Sequence, residues 1–130
     1  MVDYRALVGT KWEYGQTDCY TLVRAYFRLQ GVELPDFERP ADLDACKESI
    51  FLREAERLGF VEVPFTERRV GDVLIIRLFS RVAMHAAVLV EPDRILHQMP
   101  NARSGVEDLR SYYVRSIAAV FRYAAGLSAG

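Results

Sequence analysis

The sequence predicts an α+β domain in which N-terminal helices pack on an antiparallel β-sheet. Three observations carry this expectation. Apolar residues recur at helical spacing in two stretches before residue 60. Four short apolar, strand-like runs follow residue 70. Each helical stretch stops on a glycine, Gly31 and Gly59. Helices first and strands after is the order of an α+β domain rather than of alternating βαβ units.

The elements follow in order. Residues 1–9, with Val2, Tyr4, Leu7 and Val8, form a short amphipathic helix by pattern. Gly9 to Thr17 is a loop of turn formers and aromatics, and Thr17 or Asp18 can cap the helix that follows. That helix runs over about 18–30, with Leu22, Val23, Tyr26 and Leu29 on one stripe together with Cys19. Val32 to Phe37 is an exit loop. A second helix covers about 42–58, with Ile50, Leu52, Ala55 and Leu58 as core and Cys46 as a small core residue. The strand-like runs are Val73 to Phe79 (interrupted by Arg77), Met84 to Val90, Arg94 to Gln98 and Ile117 to Tyr123.

At 130 residues the chain is expected to be a single domain, 1–130, able to bury a core without staples. Hydrophobic residues make up 51% and charged residues 27%, the balance of a soluble globular protein. A net charge of −1, with Arg68-Arg69 the only adjacent basic pair, gives no reason to expect nucleic acid as a partner. No apolar run approaches the ~18–20 residues of a membrane span. Charges at Asp3, Arg5, Lys11, Glu13 and Asp18 leave no apolar core for a signal peptide, so synthesis in a cytosol is expected. Release within a larger particle or by lysis stays compatible with that.

The two cysteines and two histidines carry the chemistry. They lack the close spacings of a zinc site, so no metal and no cofactor is expected. Two cysteines make no disulfide framework. Cys19 sits at a helix start, where the helix end lowers a thiol pKa, and His85 and His97 lie on later strands. That arrangement suits a cysteine nucleophile whose proton passes to an imidazole.

The two rings must then share a face. A two-residue loop at Pro92-Asp93 pairs Glu91 with Arg94, opposes His97 to Val88 and puts His85 on the other face. A three-residue loop, or a bulge of equivalent effect, opposes His97 to Ala87 and makes the imidazoles diagonal neighbours. The second arrangement is expected. His85 would then accept the thiol proton, His97 would orient His85, and first-turn amides of the helix would serve as oxyanion donors.

These residues resemble the NlpC-type cysteine peptidases, papain-like enzymes that cut bacterial cell-wall peptides. Val8 to Gly15 is similar to the family's G-x-P-Y-x-x-G-G loop, and Asp18-Cys19-Tyr20-Thr21-Leu22-Val23 to its D-C-S-G-L-V. Gly31 to Pro35 resembles the segment after the nucleophile helix, and Gly71-Asp72-Val73-Leu74 the G-D-L-V that opens the sheet. His85 to Val90 resembles H-V-G-I-Y-L, and Ile95-Leu96-His97 the strand with the third polar residue. The ordered set is specific; no single piece is. The resemblance is closer to the tail-assembly branch of tailed phages and prophages, which tends to carry D-C-[WY]-T-L-V and a basic-aromatic end like Phe121-Arg122-Tyr123.

The resemblance implies a papain-like fold with a Cys19-His85-His97 triad. It implies hydrolysis of a γ-D-glutamyl to diamino-acid amide bond in a peptidoglycan stem peptide, in a phage tail and alongside other tail proteins. A catalytically idle tail-tip component and a papain-like amidase or acyltransferase are the alternatives. Trp12, Tyr14, Asp18 and Tyr20 are the candidate substrate-binding residues, with Asp18 expected as a cap or loop organiser rather than a catalytic acid. The chain departs from the family where Tyr20-Thr21 replaces Ser-Gly and Trp12 stands at the loop tyrosine. Trp12 lacks a phenol hydroxyl, although its indole N–H can donate.

Overall fold

The computed structural model describes residues 2–37, 50–78 and 85–124. The expectations placed on Cys46, Phe79, Met84 and the helix segment 42–49 lie outside those residues. Six strands form one sheet: β1 (Phe60–Val63), β2 (Val73–Ile76), β3 (His85–Glu91), β4 (Arg94–His97), β5 (Gly105–Asp108) and β6 (Ile117–Tyr123). Their spatial order is β1-β6-β2-β3-β4-β5, and each neighbouring pair is antiparallel. The helices are α1 (Cys19–Arg28), α2 (Ile50–Glu54) and α3 (Ser111–Ser116). This is the α+β arrangement that the sequence predicts.

The sheet is covered on both faces, which is why its strands read as continuous apolar runs instead of alternating ones. Val73, Ile75, Ala86, Val88, Val90, Leu96, Ala119 and Phe121 pack with Tyr20, Val23, Tyr26 and Phe27 of α1. The intervening residues Leu74, Ile76, Ala87, Leu89, Ile95 and Val120 turn to the other face and pack with Tyr113 of α3. Burial of four consecutive residues in β2 is the direct consequence.

Asp18 starts α1. Its carboxylate accepts the Thr21 N–H at 3.0 Å and the Gly15 N–H at 2.9 Å, so one side chain caps the helix and pins the loop before it. Both predicted glycines are left-handed, Gly31 just beyond α1 and Gly59 at the end of the turns that follow α2. Gly31 has φ +80°, with Gly31 N–H bonded to Arg28 O and Val32 N–H to Phe27 O. Gly59 has φ +96°, with Gly59 N–H on Glu56 O and Phe60 N–H on Ala55 O. Both are Schellman closures, which need a left-handed residue at the glycine position.

Several expectations are corrected. Residues 2–9 form no α-helix; Arg5–Leu7 is a single 3-10 turn. Tertiary bonds claim this segment: Ser104 Oγ donates to Leu7 O, and the Gly9 N–H donates to Ser104 O. Leu29 is half-exposed beyond the end of α1, while Tyr20 and Phe27 complete the buried stripe. The described part of the second helix ends at Glu54 and continues as turns to Gly59; Leu52 is exposed, whereas Ala55 and Leu58 are buried. The strands β1 and β5 and the helix α3 were not expected. All three are short, and β1 and β5 lie at the sheet edges with weak apolar patterns.

Candidate active site

The β3–β4 hairpin decides where the histidines go. Glu91 pairs with Arg94 across a two-residue turn, but the register shifts at Val90, so Ala87 opposes His97. A bulge thus produces the parity that an odd loop would have given. His85 and His97 fall on one face as diagonal neighbours. His85 Nε2 lies 2.9 Å from His97 Nδ1, with the rings edge to face at 5.1 Å between centroids.

Alternation puts both imidazoles on the face of Ala87, Leu89 and Ile95, opposite the face on which α1 packs. They stand at one end of the sheet, since His85 begins β3, His97 ends β4 and Ile76, the partner of His85, ends β2. The start of α1 is brought to this end. Asp18 and Gln98, the residues before Cys19 and after His97, line one cavity. Tyr20 and Ala86, the residues after Cys19 and after His85, line another. Cys19 is half-buried at the first position of α1. The residues on either side of Cys19 and those after each histidine thus line shared cavities at this end of the sheet.

Both rings are uncharged at neutral pH. Burial, and then repulsion from His97, push His85 down to about 3. Burial also lowers His97, opposed by Glu107 and reinforced by Arg110. Glu107 on β5 was not among the sequence candidates. Its Oε1 lies 3.4 Å from His97 Nε2, an ion-pair separation longer than an ideal hydrogen bond. Its Oε2 accepts the Tyr113 hydroxyl at 2.7 Å and Arg110 Nη2 at 3.0 Å. Burial of Glu107 favours its neutral form, but the Tyr113 hydroxyl, His97 and Arg110 outweigh it and lower its pKa. The only available signal in the sequence was strand alternation through Gly105 to Asp108, too short to show an edge strand.

The other candidates are placed as follows. Trp12 and Tyr14 are half-buried in the loop before Cys19, with their rings stacked at 6.5 Å and 28°. A bridge from Lys11 to Arg103 and mutual Glu13–Thr17 bonds hold that loop. Asp18 is buried in its capping role. Tyr20 is turned into the core, its ring 4.3 Å from Phe37 and its hydroxyl donating to Pro35 O at 2.6 Å. Arg77 is exposed next to β2. Tyr113 is buried against His97 at 5.7 Å, while Tyr112 is exposed.

Known proteins share this architecture. A 119-residue stretch is 34% identical to the tail tip assembly protein K of Escherichia phage lambda, covering 92% of this chain and 60% of that protein. The chain thus spans three-fifths of that relative's length. Among solved structures, an NLP/P60 family protein from Staphylococcus aureus superposes with a TM-score of 0.63 at 18% identity, over 91% of this chain and 38% of that one. NlpC1 from Trichomonas vaginalis does so at 0.64 and 17%, over 92% and 41%. At such identities these two show the fold alone. The sequence model of the NlpC/P60 family matches residues 9–122, which is most of the chain, and the chain belongs to the NlpC/P60 family.

Proposed function

We propose that this protein is a cysteine peptidase with Cys19 as nucleophile, His85 as general base and acid, and His97 as the residue that orients His85. The observation that carries this reading is the buried His85–His97 pair beside the start of α1. In acylation the Cys19 thiol gives its proton to neutral His85 while its sulfur attacks the substrate carbonyl carbon. His85 then returns that proton to the leaving amine, and a thioester remains on Cys19. Water adds to the thioester, giving a proton to His85, and the acid leaves as Cys19 recovers its proton. The first-turn amides of α1, that of Cys19 included, are the oxyanion donors in this reading.

The substrate in this reading is the γ-D-glutamyl to diamino-acid amide bond of a peptidoglycan stem peptide. Trp12 and Tyr14 wall the groove beside the nucleophile. The setting is a phage tail that crosses the cell wall with other tail proteins, for which the similarity to the lambda tail tip assembly protein is the support. The same similarity favours a second reading, a tail-tip component that keeps the fold and turns over nothing.

A thiol-reactive probe separates the two. Cys19 should label much faster than Cys46, and His85→Ala should abolish the difference. Equal labelling rates would sink the enzyme reading. Digestion of purified muropeptides with mass analysis of products then tests the bond cut; intact muropeptides with a reactive Cys19 would point to another acyl substrate.

A further inference from the structure

Glu107 divides its two oxygens between two tasks. Oε2 is occupied by the Tyr113 hydroxyl and Arg110, whereas Oε1 is turned to His97 Nε2. The register explains the aim. Glu107 opposes Ile95, and Gly105 opposes His97, so Glu107 stands diagonal to His97 on the same face of the sheet. Tyr113, whose pKa burial and the Glu107 bond both raise, keeps its proton and acts as the donor.

An ionised carboxylate only accepts hydrogen bonds. The His97 nitrogen facing it, Nε2, must therefore carry the proton. A neutral imidazole carries one N–H, so His97 Nδ1 is left with a lone pair. His85 Nε2 lies 2.9 Å from that lone pair and must in turn be the protonated nitrogen. The remaining nitrogen of His85, Nδ1, is then the basic one.

We propose that Glu107 is a positioning residue that fixes the tautomers of both imidazoles, leaving His85 Nδ1 as the proton acceptor for the Cys19 thiol. That last assignment rests on the reading of Cys19 as nucleophile; the tautomer order does not. During attack one proton moves from Cys19 Sγ to His85 Nδ1. His85 becomes an imidazolium that still donates through Nε2 to His97, and no proton reaches Glu107. The carboxylate stabilises the new charge at a distance of two rings.

Long-range proton–nitrogen spectra of the full chain with 15N-labelled histidine read the tautomers directly. At pH 7.5 both histidines should show neutral rings protonated at Nε2. In Glu107→Gln and Glu107→Ala that preference should be lost at His97, and Cys19 labelling should slow at least about tenfold. Tyr113→Phe, which leaves the carboxylate in place, should keep both tautomers and separates loss of the carboxylate from loss of packing. An Nδ1-protonated ring in the wild type, or Nε2 tautomers unchanged in both Glu107 variants, would overturn the proposal. Glu107-dependent tautomers with Cys19 no more reactive than Cys46 would instead uphold the role of Glu107 and remove the nucleophile reading.

Discussion

His85 Nε2 and His97 Nδ1 share one hydrogen bond of 2.9 Å in a site where the residues keep only 5% and 2% of their surface in water. A buried polar nitrogen that loses its partner costs about 1–3 kcal/mol. His97→Phe removes the acceptor and should destabilise the fold by that amount in urea denaturation. It should also slow Cys19 labelling by roughly 10²–10⁴, the usual span of a positioned general base. His97→Gln presents a carbonyl oxygen to His85 and should retain more of both. Equal losses in the two variants would mean that ring packing, not the hydrogen bond, is what matters at this position.

The same burial makes stability depend on pH. His85 titrates near 6.5 when unfolded and near 3 when folded, and His97 is also lowered. Between those values the unfolded chain binds more protons, so stability rises with pH. It is fully present above about 6.5 and is lost on acidification towards 3, by up to ~1.4 kcal/mol per pH unit for His85 alone. His85→Gln should show a shallower slope of unfolding free energy between pH 6.5 and 4, whatever its stability at pH 7. A slope identical to wild type would contradict the burial assignment.

A buried ion pair also holds the sheet together. Asp72, 2% exposed, accepts Arg122 through both oxygens at 2.9 and 2.8 Å and also accepts the Arg69 N–H at 2.8 Å. Arg122 reaches on to Glu67 O at 2.9 Å, so one guanidinium ties β6 to Asp72 and to the segment before it. Arg122→Ala strands a carboxylate in the core and should cost about 3–5 kcal/mol. Replacing both residues with apolar ones should recover much of that loss. Thermal unfolding of the two variants checks the pair.

The parts of the fold that were legible in the sequence are those where local chemistry and tertiary structure agree. Gly31 closes the chain after α1 and Gly59 closes the turns after α2, each in the left-handed conformation that such closures need. The shared face of His85 and His97 could be reasoned from strand parity alone, although the device is a bulge at Val90 and not a longer loop. The illegible parts depend on distant partners. Residues 1–9 are helical by pattern, yet Ser104 bonds Leu7 and Gly9 from 97 and 95 positions away. Glu107 has no local signature, because what aims it is the register of β5 on β4.

Asp18 joins the fold to the site and yields the last prediction. One carboxylate oxygen caps α1 through Thr21, and the other holds Gly15 in the loop that carries Trp12 and Tyr14. A serine can cap through its single oxygen but cannot reach both groups at once. Asp18→Ala should lose about 1 kcal/mol of stability, the usual worth of a cap, and Asp18→Ser clearly less. The loop should respond differently: both variants free Gly15, so both should mobilise Trp12. Because Trp12 is the sole tryptophan, its fluorescence anisotropy reports this loop alone. Lower anisotropy in Asp18→Ser, with stability near wild type, would separate loop anchoring from helix capping. Unchanged anisotropy in both variants would show that the Lys11–Arg103 and Glu13–Thr17 bridges hold the loop without Asp18.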